Sequence, residues 1–115
     1  MAKRRCISVD VMESDEYQEL SNAAKCMYIA LMLRSDDEGV VINPRTVMRM
    51  TGFTDTQLDE LIDSGFVLKV DNIYVIKHWY LHNKIQPSRI VKSLYQESLS
   101  KLRVNKLKEY ELIVY

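Results

Sequence analysis

Ile7, Val9 and Val11 alternate with Ser8 and Asp10, a period of two that predicts a short half-buried strand near the start of the chain. The period then lengthens. Ser14 stands where it can cap a short turn over residues 15–20, whose early acids suit the positive end of a helix. Ser21 caps a stronger helix over residues 22–34, with Leu20, Ala24, Met27, Tyr28 and Leu31 as its apolar stripe at 3–4 spacing. Ser35-Asp36-Asp37-Glu38-Gly39 reads as a polar, solvated turn rather than a cation site. Val40-Val41-Ile42 reads as a very short strand.

Asn43 followed by Pro44 marks the next helix start, with Asn as cap and Pro at the first helical position. Val47 and Met50 are expected to face inward, and Gly52 ends this helix. Thr54-Asp55-Thr56-Gln57 matches a capping box, and Phe53 and Leu58 stand at staple positions. Leu58, Leu61 and Ile62 form the core face of that helix, and Gly65 closes it. Two short helices joined by a tight Gly-containing turn make a helix-turn-helix pattern. Phe66, Leu68 and Val70 then alternate, Asp71-Asn72 can form a two-residue turn, and Ile73–Ile76 returns as a second strand. Three helices followed by a hairpin give the order of a winged helix, with Trp79 folding back onto the hairpin.

Beyond Pro87 the pattern turns helical again, with Val91, Leu94, Tyr95, Leu99 and Leu102 at 3–4 spacing. The expectation is therefore a mainly helical α+β chain: a winged-helix domain over residues 1–86 and a C-terminal helical extension over 87–115. The apolar run Leu112-Ile113-Val114-Tyr115 needs cover from this domain, a second copy or further chain.

Composition agrees with one globular domain: 115 residues, 47% apolar and 28% charged. Three Gly and two Pro argue against a low-complexity chain. No apolar run is long enough for a membrane span, and the basic start lacks the apolar stretch of a signal peptide. Cys6 and Cys26 lack metal-ligand spacing and suit a reducing cytosol as buried thiols.

Charge changes the picture. The net charge is zero, but residues 1–5 sum to +3, residues 6–83 to −7 and residues 84–115 to +4. Basic ends on an acidic body are either a nucleic-acid footprint or scattered solvated charge.

Several short pieces share an order and spacing with a known family. They are Met1-Ala2-Lys3-Arg4-Arg5 with Ser8, Leu31-x-x-Arg34-x-Asp36-Asp37-x-Gly39, Asn43-Pro44 with Met48-Arg49-Met50, and Gly65-Phe66. Ile76-Lys77-His78-Trp79, Asn83-x-Ile85-Gln86 with Arg89, and Tyr95-Gln96-Glu97 complete the set. On these residues the chain resembles the N-terminal domain of phage replisome organizers, replication initiators related to the DnaD-like primosome proteins of Gram-positive bacteria. The resemblance implies a winged helix that binds origin DNA and recruits helicase-loading proteins in the bacterial host cytoplasm. Members of the family are longer, so the chain looks like an N-terminal fragment or a shortened relative. The implied partners are DNA, helicase loaders or other replication proteins, and a second copy of the chain, with no membrane.

In the common winged-helix mode the second helix of the helix-turn-helix enters the major groove. Here that helix, residues 55–64, carries Asp55, Asp59, Glu60 and Asp63 and no base, so phosphates repel it. Thr54, Thr56 and Gln57 at its start reach base edges, or else Thr54 and Gln57 merely cap the helix. Arg45 and Arg49 share one face of the preceding helix and either contact phosphate or pair with Asp55 or Asp59. Lys3, Arg4 and Arg5 form a basic arm that enters a groove or follows the backbone, or else a solubilising terminus. Lys84, Arg89 and Lys92 follow the hairpin and extend the contact, while Lys77 lies on its outgoing strand. His78 packs beside Trp79 or touches a phosphate. Trp79 is read as core rather than as a base-stacking platform.

Nothing points to an enzyme. His78 and His82 are four apart, but no Glu stands as in the His-Glu-x-x-His zinc signature, and a strand leading into a loop would not converge them on one metal. No cofactor or metal is expected. The alternative to DNA binding is a protein-interaction or oligomerisation module of a primosome-type protein, favoured by the acidic third helix and the apolar C-terminus.

Overall fold

The computed structural model describes residues 4–113. Short helices α1 (Val9–Met12) and α2 (Asp15–Gln18) precede a three-turn helix, α3 (Asn22–Leu33). Helices α4 (Pro44–Thr51) and α5 (Asp55–Asp63) follow, then a hairpin of β1 (Val67–Val70) and β2 (Ile73–Ile76). One helical turn, α6 (Trp79–His82), leads through a 3₁₀ turn (Pro87–Arg89) to α7 (Gln96–Leu99) and a second hairpin, β3 (Leu102–Val104) with β4 (Tyr110–Leu112). The described residues thus form an α+β fold with two separate two-stranded antiparallel hairpins.

Side chains at helix starts behave as their spacing predicts. Ser14 Oγ accepts the Tyr17 N–H, Ser21 Oγ the Ala24 N–H at 3.1 Å, and Asn43 Oδ1 the Thr46 N–H at 3.2 Å. Thr54 and Gln57 form the capping box of α5, with the Thr54 N–H donating to Gln57 Oε1 at 2.8 Å. Gly52 terminates α4 in the left-handed region, φ 78°. Glu60 ties α5 to α3, since its carboxylate accepts both the N–H and the hydroxyl of Ser21 at 2.7 Å. Those two bonds hold the Glu60 carboxyl below its ordinary range.

The first hairpin pairs Val67 with Ile76 and Val70 with Ile73 across the Asp71-Asn72 turn. Val40 bridges Val75, and the Ile76 N–H reaches the Gly39 carbonyl, so the segment after the acidic turn lies beside β2. Tyr17, Tyr28 and Phe66 meet edge to face with centroids 5.4–5.9 Å apart. Trp79 is fully buried and its indole N–H donates to the Asp37 carbonyl at 2.9 Å. Gly39 makes this packing feasible: its φ is +89°, and a Cβ there would lie 2.7 Å from Trp79 Cγ.

Six expectations are corrected. The opening strand is replaced by extended chain and α1, because Ile7 and Val9 find no core face and the backbone bonds side chains instead. The region of His78 and His82 is a helical turn, not a strand leading into a loop. Met50 points outward, 62% exposed, and Cys6 and Cys26 are exposed rather than buried. The acidic turn is not merely solvated: its carboxylates bind distant backbone. That binding explains the largest departure, the C-terminal extension, which has one helical turn and a hairpin in place of a continuous helix. Asp37 accepts the Val91 N–H and Glu38 the Ser93 N–H, each at 2.9 Å. Alternate N–H groups held by two neighbouring carboxylates keep residues 91–93 out of a helix. Tyr110 then docks the second hairpin, its N–H on the Lys77 carbonyl at 2.9 Å and its hydroxyl on the Glu38 carbonyl at 2.6 Å.

Candidate nucleic-acid interface

The face of α5 is closed to polyanions. Thr56 opens onto a cleft whose charged lining is entirely acidic: Glu16, Glu19, Asp59, Glu60 and Asp63. The Gln57 carbonyl oxygen is engaged in the cap. At the first hairpin tip Asp71 pairs with Lys101 at 2.7 Å and takes the Ser98 hydroxyl at 2.8 Å, which lowers its carboxyl and raises the Lys101 amine.

Helix α4 is the opposite case. Arg45 and Arg49 are both exposed, and among the described residues neither makes an ion pair; Asp55 and Asp59 leave them free. Arg34 joins them. Its guanidinium reaches Met50 Sδ at the end of α4, 3.3 Å away, and pairs with no carboxylate among the described residues. Arg34 was missed as a site residue because the sequence places it at the end of a different helix from Arg45 and Arg49, and only the fold brings it to the end of α4.

The basic arm divides. Lys3 lies outside the described residues. Arg4 is exposed. Arg5 is a structural anchor and not a free arm residue: its side chain is 4% exposed, pairs with Asp37 at 3.0 Å, donates to the Ser35 carbonyl at 2.8 Å and lies 5.0 Å over the Trp79 ring. The Asp37 carboxyl is lowered, first by the Val91 N–H and then by Arg5. Residues 6 and 8 continue the anchorage, with the Cys6 N–H on Asn83 Oδ1 at 2.9 Å and the Ser8 N–H on His82 Nδ1 at 2.7 Å.

A groove of about 380 Å³ unites part of the predicted set, since Arg5 and Lys92 line it together with Ile42, which leads into α4. Arg89 is exposed, two residues before the anchored Val91. Lys77 and Lys84 stand apart. Lys77 borders a cleft with Asp10, Glu16, His78 and Glu109. Lys84 shares a cleft of about 270 Å³ with Lys108, a neighbour that only the second hairpin brings there.

The histidines are structural. His78 pairs with Glu109 at 3.2 Å and tilts against Phe66, and burial lowers its pKa despite that carboxylate. His82 Nε2 lies 2.7 Å from the Tyr28 hydroxyl, and burial pushes its pKa down to about 4. No group of three or more His, Cys, Asp or Glu side chains among the described residues could hold a metal ion. No described helix is long and apolar enough to cross a membrane.

No family model, curated protein or solved structure matches the chain. Exposed guanidinium groups that make no ion pair among the described residues can fork onto phosphate oxygens.

Proposed function

We propose that the chain is a DNA-binding winged-helix domain of a phage replication initiator, acting in the host cytoplasm and helping to recruit helicase-loading proteins. The order α3, α4, α5 and first hairpin, with Val40 bridging β2, supports the winged-helix reading. The observation that carries the DNA reading is the contrast between two consecutive helices: α4 presents Arg45 and Arg49 without an ion pair among the described residues, while every charged side chain of α5 is a carboxylate. The domain therefore approaches the duplex with α4 and not with the third helix. Arg34 and Lys92 add charge near the two ends of α4, and Arg4 adjoins the anchored Arg5.

Fluorescence anisotropy on a labelled duplex tests this. Each neutralised phosphate contributes about −0.9 to the slope of log affinity against log salt, so about four contacts give a slope near −3 to −4. Arg45→Glu with Arg49→Glu weakens binding by at least about tenfold. A flat salt response would refute the reading.

The second reading is an interaction module of a primosome-type assembly, homo-oligomeric or docked to another component. The acidic cleft of α2 and α5 favours it, because that side repels DNA. Sedimentation velocity decides whether the chain self-associates.

A further inference from the structure

Where α6 ends, the second hairpin closes a cleft of about 270 Å³ whose walls include Tyr80, Asn83, Ile85 and Val104. The charged residues lining it are both lysines, Lys84 and Lys108. Ile85 and Val104 give it an apolar side, and Val104 is 44% exposed. The Tyr80 ring leans on Tyr110 with centroids 5.5 Å apart, so this wall is fixed to the residue that docks the hairpin.

Two kinds of group in this cleft are left unmatched. Lys101 and Arg103 of the same hairpin pair with Asp71 and Glu111 at 2.7 and 2.6 Å, and Glu109, the acid next to Lys108, is turned to His78 at 3.2 Å. Lys84 and Lys108 make no ion pair among the described residues. Lys108 stands at φ 65°, in the left-handed region where Gly costs less. Asn83 is 5% exposed, and its Oδ1 accepts the Cys6 N–H at 2.9 Å, which fixes Nδ2 as the donor end of the amide. That Nδ2 is buried and has no partner among the described residues. Two ammonium groups without a counter-ion raise the local potential, and a buried amide donor without an acceptor is costly. A ligand that is anionic at one end and carries an acceptor on an apolar body answers both.

We propose that this cleft binds a single nucleotide, with its phosphate between Lys84 and Lys108, its base against Ile85 and Val104, and a base or sugar oxygen accepting from Asn83 Nδ2. Inorganic phosphate would leave the apolar side uncovered. An acidic peptide meets the lysines but brings no flat apolar ring with an acceptor on its edge. A duplex keeps its bases stacked and out of reach of a cleft, so the nucleotide is free or belongs to a single strand. No residue of α4 lines the cleft, so the inference does not rest on the duplex reading.

Nuclear magnetic resonance of the full chain, labelled with nitrogen-15 and titrated with thymidine monophosphate, tests the proposal. The Asn83 side-chain amide and the backbone amides of Lys84, Val104 and Lys108 shift with the nucleotide, and inorganic phosphate does not reproduce the Asn83 shift. Lys108→Gly with Lys84→Gln weakens the nucleotide by roughly tenfold. Gly suits φ 65°, so this variant keeps its fold and the loss reports the lysines. Arg45→Glu with Arg49→Glu leaves the nucleotide shifts in place. A fluorescent oligothymidylate bound at least about tenfold more tightly than the mononucleotide assigns the cleft to a strand, and equal affinity assigns it to the free nucleotide. No Asn83 shift at millimolar nucleotide, the same shift with inorganic phosphate or oligoglutamate, or affinity indifferent to the lysine double variant overturns the proposal. The duplex reading fails separately, through its salt response.

Discussion

Acid sensitivity centred on His82 is the sharpest consequence of the anchored N-terminal segment. The Ser8 N–H donates to Nδ1, so the ring hydrogen sits on Nε2 and donates to the Tyr28 hydroxyl. A proton added at Nδ1 would face the Ser8 N–H head on, in a residue that is 5% exposed. Burial, assisted by His78, lowers the pKa from 6.5 to about 4. A base whose folded pKa is depressed leaves stability complete above its unfolded value. Below pH 6.5 the unfolded chain takes up a proton that the folded chain refuses, and stability falls until the pH reaches about 4. The full loss is about 3 kcal/mol, of which about 2 kcal/mol is already gone near pH 5. His78, also lowered, acts in the same direction, opposed by Glu109. Urea unfolding between about pH 7.5 and 4.5 measures the effect. His82→Asn is the control: its amide oxygen can replace Nδ1 as acceptor and does not titrate. The variant starts less stable and declines less steeply, and subtracting the two profiles removes the carboxylates common to both. Parallel profiles between pH 6.5 and 4.5 would sink the reasoning.

Gly39→Ala imposes both a positive φ and a clash with Trp79 Cγ, and is expected to cost about 2–4 kcal/mol. A melting temperature within about two degrees of the parent would show that the indole can move aside. Arg5→Ala leaves Asp37 without its buried partner, with an expected loss of about 2–4 kcal/mol in urea unfolding. Its duplex affinity, measured where the variant is folded, stays unchanged, whereas a loss matching that of the α4 double variant would return Arg5 to the phosphate contacts. Cys6 and Cys26 are exposed, so Ellman's reagent titrates both in the native chain without denaturant. Two unreactive thiols would contradict their placement.

The helical half of the fold was legible because its signals are short-range. Ser21, Asn43 and the Thr54–Gln57 box each bond backbone within three residues, and the Asp71-Asn72 turn joins strands that are sequence neighbours. The acidic character of α5 was legible too, since four carboxylates without a base need no coordinates to be read. The free state of Arg45 and Arg49 was not, because pairing with Asp55 or Asp59 was equally compatible with their spacing.

What the amino-acid order alone decided was where α3, α4 and α5 begin and end, where the first hairpin turns, and which helix carries which sign of charge. The tertiary structure alone decided that Arg5 anchors instead of roaming, that residues 91–93 stay outside any helix, and that Lys92 and Leu94 line one groove. Those outcomes depend on bonds across 32, 54 and 55 residues, from Asp37 to Arg5 and Val91 and from Glu38 to Ser93. A spacing of three or four records only what a segment could bury as a helix. It carries no trace of a distant carboxylate that claims the same N–H groups first.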